Sequence, residues 1–218
     1  MNIQNVIFDF DGVIVDSEPI HAEAKKGTLD HFQLTYDSDL FDQFKGIPDS
    51  DFFRFASKDL AGAMITAEAM NDYKRTLYAA MLPDIKLIEG VFDFIEKLKH
   101  EGIKIGIASS TTKSDFLLIN DKYKLNTYFD VMVTGGDTSM HKPHPEPYLK
   151  AMEYLKALPE ETAAIEDSPN GIKSALASGC TVIGLTTSFD QVVLKDAGAH
   201  FITDSFAKID YLDLLLMR

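Results

Sequence analysis

Near its start and again from residue 90 onward the chain carries short apolar runs, which in the later part alternate with longer helical patterns. The runs Val6-Ile7-Phe8, Ile103 to Ala108, Val131-Met132-Val133, Ala163-Ala164-Ile165 and Val182-Ile183 are each too short for a helix, and each has Gly, Asp or Ser close after it. Buried parallel strands read this way, because both of their faces must be apolar. Between them, Val91, Phe94, Ile95 and Leu98 recur at i, i+3, i+4 and i+7, with Gly102 as a stop. Pro145 to Leu158 and Pro169 to Ser178 also read as helices, the second closed by Gly179. Strand alternating with helix predicts an α/β protein whose parallel sheet carries helices on both faces.

The segment from Ser17 to about Ile88 breaks the rhythm. It shows helical patterns at Ile20–Phe32, Leu40–Phe44, Asp51–Leu60 and Ala67–Leu82 and no convincing strand. A crossover between parallel strands needs far fewer than these roughly 70 residues, so an inserted all-helical domain is expected. The expected division is residues 1–15 and 89–218 for the sheet domain and 16–88 for the helical one.

Composition narrows the function classes. Thirty-four acidic residues against twenty-one basic ones leave a net charge of −13. That balance argues against nucleic-acid or anionic-membrane partners, which bind through basic patches. The single cysteine, Cys180, excludes a disulfide framework and a multi-thiolate zinc site. No run approaches the ~20 apolar residues that span a bilayer, and no basic leader opens the chain. A soluble, cytoplasmic protein acting as a monomer is expected.

The chemistry concentrates at the ends of the predicted strands, where open parallel sheets bind ligands. Val6-Ile7-Phe8 runs into Asp9-Phe10-Asp11-Gly12. Carboxylates two apart in extended chain lie on one side, ~6–7 Å apart, and need a cation or a shared proton. Such hard oxygen donors suit Mg²⁺. Gly12 permits a sharp turn and a close approach to a ligand. The run Ile103–Ala108 ends in Ser109-Ser110-Thr111-Thr112, which can serve as a phosphate cradle or as a plain helix N-cap. Ala163–Ile165 ends in Glu166-Asp167, then Ser168-Pro169 opens a helix; the carboxylates could instead be a cap with a solvated neighbour. Lys142, in His141-Lys142-Pro143, would supply a positive charge to these acids.

The ordered set Asp9-Phe10-Asp11-Gly12-Val13, Ser109, Lys142-Pro143 and Glu166-Asp167-Ser168 resembles the motifs of the haloacid dehalogenase-like superfamily. It is similar to the branch that holds beta-phosphoglucomutase and small-molecule phosphatases. The resemblance implies a Rossmann-like core with a helical cap, and a Mg²⁺-dependent phosphatase acting on a small phosphorylated metabolite, a sugar phosphate. It implies Asp9 as nucleophile, Asp11 as general acid and base, Ser109 with Ser110 and Gly12 at the phosphoryl group, and Lys142 as its counter-charge. Magnesium would be held by Asp9, Asp167, the Asp11 carbonyl and Glu166. In the cap, His21, Gly46, Lys74 and Arg75 would face the substrate, with Lys113 close to a second-phosphate site; Phe52, Phe53 and Phe55 are expected to be cap core.

One departure bears on the alternative of a sugar-phosphate mutase. The mutase's turn matching Gly46-Ile47-Pro48-Asp49 carries an arginine for a second phosphate, and here that position is Asp49. A phosphoacceptor receiver domain is a more remote alternative. It would leave the helical insertion unexplained and would want an acceptor Asp where the third run ends in Thr134-Gly135-Gly136.

Overall fold

The computed structural model describes residues 3–44 and 49–209. Its elements in chain order are β1 (Asn5–Phe8), β2 (Val15–Asp16), α1 (Glu18–His31), α2 (Leu40–Gln43), α3 (Asp49–Phe55), α4 (Ala67–Met81), β3 (Lys86–Leu87) and α5 (Val91–His100). There follow β4 (Lys104–Ala108), α6 (Lys113–Tyr123), β5 (Val131–Val133), α7 (Glu146–Leu155), β6 (Thr162–Glu166), α8 (Pro169–Ala177), β7 (Thr181–Leu185), α9 (Gln191–Asp196) and β8 (Phe201–Thr203). The chain divides into two compact units, Met1–Asp16 with Lys86–Arg218, and Ser17–Ile85.

The first unit is built on a six-stranded parallel sheet in the order β5-β4-β1-β6-β7-β8. The chain leaves β1 for β4 and β5 on one side, then crosses to β6, β7 and β8 on the other. That reversal opens a crevice at the carboxyl end of β1. Both faces of the sheet are covered, as the alternation predicts. Ile7 points into a cluster with Val133, Tyr148, Met152, Ala164, Ile172 and Val182. Phe8 points to the opposite face, where its ring meets those of Phe94, Phe129 and Phe206. A strand buried on both faces holds its register firmly, because a one-residue slip would exchange the two sets.

Three elements depart from the reading above. β8 was not expected, since Phe201-Ile202-Thr203 is a short edge strand with partly exposed side chains and carries little apolar signal. The segment expected to lack strands ends in β3, which pairs antiparallel with β2 over two residues, too few for any period to show. The helix expected to run to Leu158 stops at Leu155, where Lys156 turns into left-handed backbone with φ 55°.

In the second unit α1 and α4 pack together, with α3 against α4. Its core holds Leu29, Phe52, Phe53, Ala56 and Met70, all fully buried, with Phe55 partly buried against them. Among the described residues, no helix is long and apolar enough to cross a membrane.

Candidate active site

The carboxyl end of β1 delivers Asp9, and that of β6 delivers Glu166 and Asp167. The strands pair in register, Phe8 beside Ile165, and the Asp9 N–H donates to the Ile165 carbonyl at 2.9 Å. All three acids are buried, and one carboxylate oxygen from each falls within 4.8 Å of the others. Lys142 lies among them, its Nζ 2.6 Å from both Asp9 Oδ1 and Glu166 Oε1. The loop that carries it is tied down. Glu146, in the first turn of α7, accepts the N–H groups of Ser139 and Met140 at 2.8 Å each. The Ser174 hydroxyl donates to the His144 carbonyl at 2.6 Å.

Burial works against the Lys142 ammonium, yet Asp9 and then Glu166 outweigh it and raise its pKa, so it is charged. Burial, then the neighbouring Asp9 charge, pushes Glu166 up to about 7 against the opposing pull of Lys142 and Tyr148. Burial, then Asp9 and Glu166, also raises Asp167. Three converging carboxylates with one ammonium are what a hard divalent cation would relieve. The donor set fits Mg²⁺: oxygen only, buried, and shaped by glycine. Gly12 sits at φ +73°, and a β-carbon there would overlap the Asp167 carboxylate. A β-carbon at Gly171 would overlap that of Glu166.

Glu166 is already well occupied. Its Oε1 accepts from both Lys142 and the Tyr148 hydroxyl, the latter at 2.7 Å, and its Oε2 accepts from Ser168 at 3.3 Å. In this arrangement its first service is to orient Lys142, whose Nζ also lies 5.1 Å from the centre of the Tyr148 ring.

The four hydroxyl residues after β4 divide their work. Ser109 is buried, and its Oγ accepts the Thr111 N–H at 2.9 Å, leaving its own proton for an anion. Thr111 Oγ1 donates to Asp11 Oδ2. Thr112 caps α6 by accepting from Asp115 N at 3.3 Å, so the plain N-cap reading holds for this position. Ser110 is exposed. Lys113 is exposed as well and faces Asp137 at 4.0 Å.

The remaining candidates belong to the second unit. His21 Nδ1 is 2.7 Å from Lys74 Nζ, and Lys74 and Lys25 both pair with Asp49, at 2.8 and 3.1 Å. Burial, then Lys74, lowers His21 to about 3, so the ring is neutral and Nδ1 accepts from the lysine. His21 stacks on Tyr78 at 4.3 Å. Arg75 is exposed and faces Asp72 at 3.8 Å, a solvated pair. Gly46 lies outside the described residues.

Sequence reasoning missed three site residues, Tyr148, Thr187 and Ser188, and placed Thr111 only in the phosphate cradle, not against Asp11. Tyr148 and Thr111 are described above. Thr187 donates to the Gly12 carbonyl at 2.5 Å, and Ser188 hydrogen-bonds Asp167. Thr187 and Ser188 follow β7, so the rule that strand ends bear ligand groups was the signal available for them. Tyr148 had none, since it lies in the first turn of α7, away from any strand end.

The residues 6–185 match the model of the haloacid dehalogenase-like hydrolases, and the chain belongs to that family. It is 30% identical over 203 residues to a phosphorylated carbohydrates phosphatase of Thermotoga maritima, covering 90% of this chain and 92% of that one. It is 29% identical to the pyrophosphatase PpaX of Anoxybacillus flavithermus over 85% of this chain and 84% of that protein. A crystal structure of a HAD hydrolase, family IA, variant 3, from Entamoeba histolytica matches with a TM-score of 0.84 at 28% identity, over 99% of this chain and 100% of that one.

Proposed function

We propose that the protein is a Mg²⁺-dependent phosphatase that hydrolyses a small sugar phosphate through a phosphorylated Asp9. The observation that carries this reading is Lys142 held at 2.6 Å from both Asp9 and Glu166, with Asp167 converging on the same point. An ordinary helix cap has no use for a buried lysine among three buried acids.

In this reading Asp9 attacks phosphorus and the leaving oxygen takes a proton from Asp11. Asp11 then accepts a proton from the water that releases phosphate. Lys142 and the Ser109 hydroxyl hold the equatorial oxygens, stabilisation by fixed charge that phosphoryl transfer chiefly needs. Asp9, Asp167 and the Asp11 carbonyl would hold the metal, with Glu166 beside it. When bound, the metal supplies positive charge to the transferring group. The Thermotoga maritima relative's name supports a phosphorylated carbohydrate as substrate.

The mutase alternative meets an obstacle in the second unit, which we read as the cap. Where the mutase places an arginine, Asp49 pairs with both Lys25 and Lys74. Those cations are already matched to a carboxylate of the chain itself, which disfavours a grip on a second phosphate. The test supplies β-glucose 1-phosphate with catalytic glucose 1,6-bisphosphate and Mg²⁺, and measures inorganic phosphate and glucose 6-phosphate together. The phosphatase reading expects phosphate to dominate; glucose 6-phosphate forming much faster would replace it with the mutase.

A further inference from the structure

We infer that Thr111 is a positioning residue for Asp11, setting the carboxylate from which the leaving group receives its proton. The inference rests on the acid role of Asp11 proposed above and adds a residue to it. Thr111 is held through three separate bonds, each to a different part of the site. Its N–H donates to Ser109 Oγ at 2.9 Å, its carbonyl accepts from the Gly135 N–H at 2.8 Å, and its hydroxyl donates to Asp11 Oδ2.

The backbone bonds explain why the hydroxyl can do this. A residue pinned at both its N–H and its carbonyl has its Cα–Cβ direction fixed, so that only the side-chain rotamer is left to order. The Gly135 side is close-fitting: a β-carbon at Gly135 would come within 3.0 Å of the Ser110 carbonyl carbon and 3.1 Å of the Thr111 carbonyl oxygen. Thr111 is also β-branched, which restricts its χ1. Ser109 and Thr111 are two apart in the chain. One reaches the place proposed for the phosphoryl group while the next reaches the acid. A shift of either is therefore felt by the other through a single 2.9 Å bond.

A carboxyl that must hand a proton to one particular oxygen needs a fixed plane, and misplacement by about 1 Å costs about a hundredfold in rate. The hydroxyl on Oδ2 fixes that edge of Asp11 and thereby the direction of Oδ1.

The experiment compares wild type, T111V, T111S and D11N on 2,4-dinitrophenyl, p-nitrophenyl and phenyl phosphate, reading kcat/KM. That constant reports the steps through departure of the leaving group, so the later attack of water does not enter. Dinitrophenolate departs unassisted, whereas phenolate needs the proton. T111V is expected to lower kcat/KM about 10- to 100-fold on phenyl phosphate and about threefold or less on the dinitrophenyl ester. T111S, which keeps the hydroxyl, is expected to recover most of the loss. D11N is expected to follow the same trend more steeply. A uniform loss across the three esters in T111V, or no loss, overturns the positioning role if D11N stays leaving-group-dependent. A uniform loss in D11N removes the acid role of Asp11 itself, and this inference with it. If T111V does not fold, T111A carries the same comparison against T111S.

Discussion

Replacing Lys142 with Met keeps the length of the side chain and removes its charge from between Asp9 and Glu166. The lysine side chain is 7% exposed and those of its partners 12% and 0%, so solvent cannot take its place. Breaking a buried ion pair costs ~3–5 kcal/mol. The lower end applies here, because Glu166 keeps the Tyr148 and Ser168 hydroxyls. For a chain of this length about 3 kcal/mol corresponds to a melting temperature lower by about 6–12 °C. The pH dependence follows from Glu166. Its folded-state pKa, about 7, is raised above the ordinary glutamate value of 4.5, so the folded protein holds that proton more tightly than the unfolded chain. Stability from this group is therefore complete below the unfolded value and is lost as pH rises through about 7. Lys142, raised from an already high value, stays charged throughout this range. Below about pH 7 the variant loses chiefly the Asp9 pair. Above it, Glu166 must either ionise without a buried counter-charge or keep its proton, at about 1.4 kcal/mol per pH unit. Urea denaturation of both proteins in EDTA, from pH 6 to pH 9, measures the gap, which should widen with pH. A gap that is absent at pH 8, or flat across the series, would refute the reasoning. Phosphatase activity of K142M should fall ~10²–10³-fold or more.

Two further outcomes follow from the same geometry. G12A should fold but lose about a hundredfold or more in activity, because the new β-carbon displaces the Asp167 carboxylate at a left-handed turn; its Mg²⁺ affinity by calorimetry should fall in step, and wild-type affinity would contradict this. Mg²⁺ should raise the melting temperature of the wild-type protein, with about 2.7 kcal/mol of stabilisation at a hundred times its Kd. The increment should be larger at pH 8 than at pH 5, since the ion favours the ionised forms that burial opposes; a pH-independent increment would count against the carboxylates as its ligands.

What the sequence disclosed depended on whether a feature was local. The strands that matter carry continuous apolar runs, and their tips carry polar residues, so the sequence alone placed Asp9, Ser109 and Glu166-Asp167 together at the carboxyl end of a sheet. The partners of those residues could not. Tyr148 reaches Glu166 across 18 positions and Thr111 reaches Asp11 across 100, and neither separation leaves a periodic trace. The surroundings of Lys113 were hidden for the same reason. Its charge was visible, but not the Asp137 opposite it or its exposure. Asp49 was visible as a reversed charge, whereas its bonds to Lys25 and Lys74 emerge only when α1, α3 and α4 pack. The short strands β2, β3 and β8 are set by neighbours rather than by propensity.

The most direct test of the account is to catch the phosphoryl group on the protein. Wild type is mixed with p-nitrophenyl phosphate and Mg²⁺, quenched in acid within a turnover, digested, and the peptide bearing Asp9 weighed. That peptide should gain the mass of one phosphoryl group. D9N should show no adduct and release neither p-nitrophenol nor phosphate above background, with the far-ultraviolet circular dichroism of the wild type. A phosphoryl group on another residue, or a D9N protein that keeps more than a few per cent of the wild-type rate, would contradict the account.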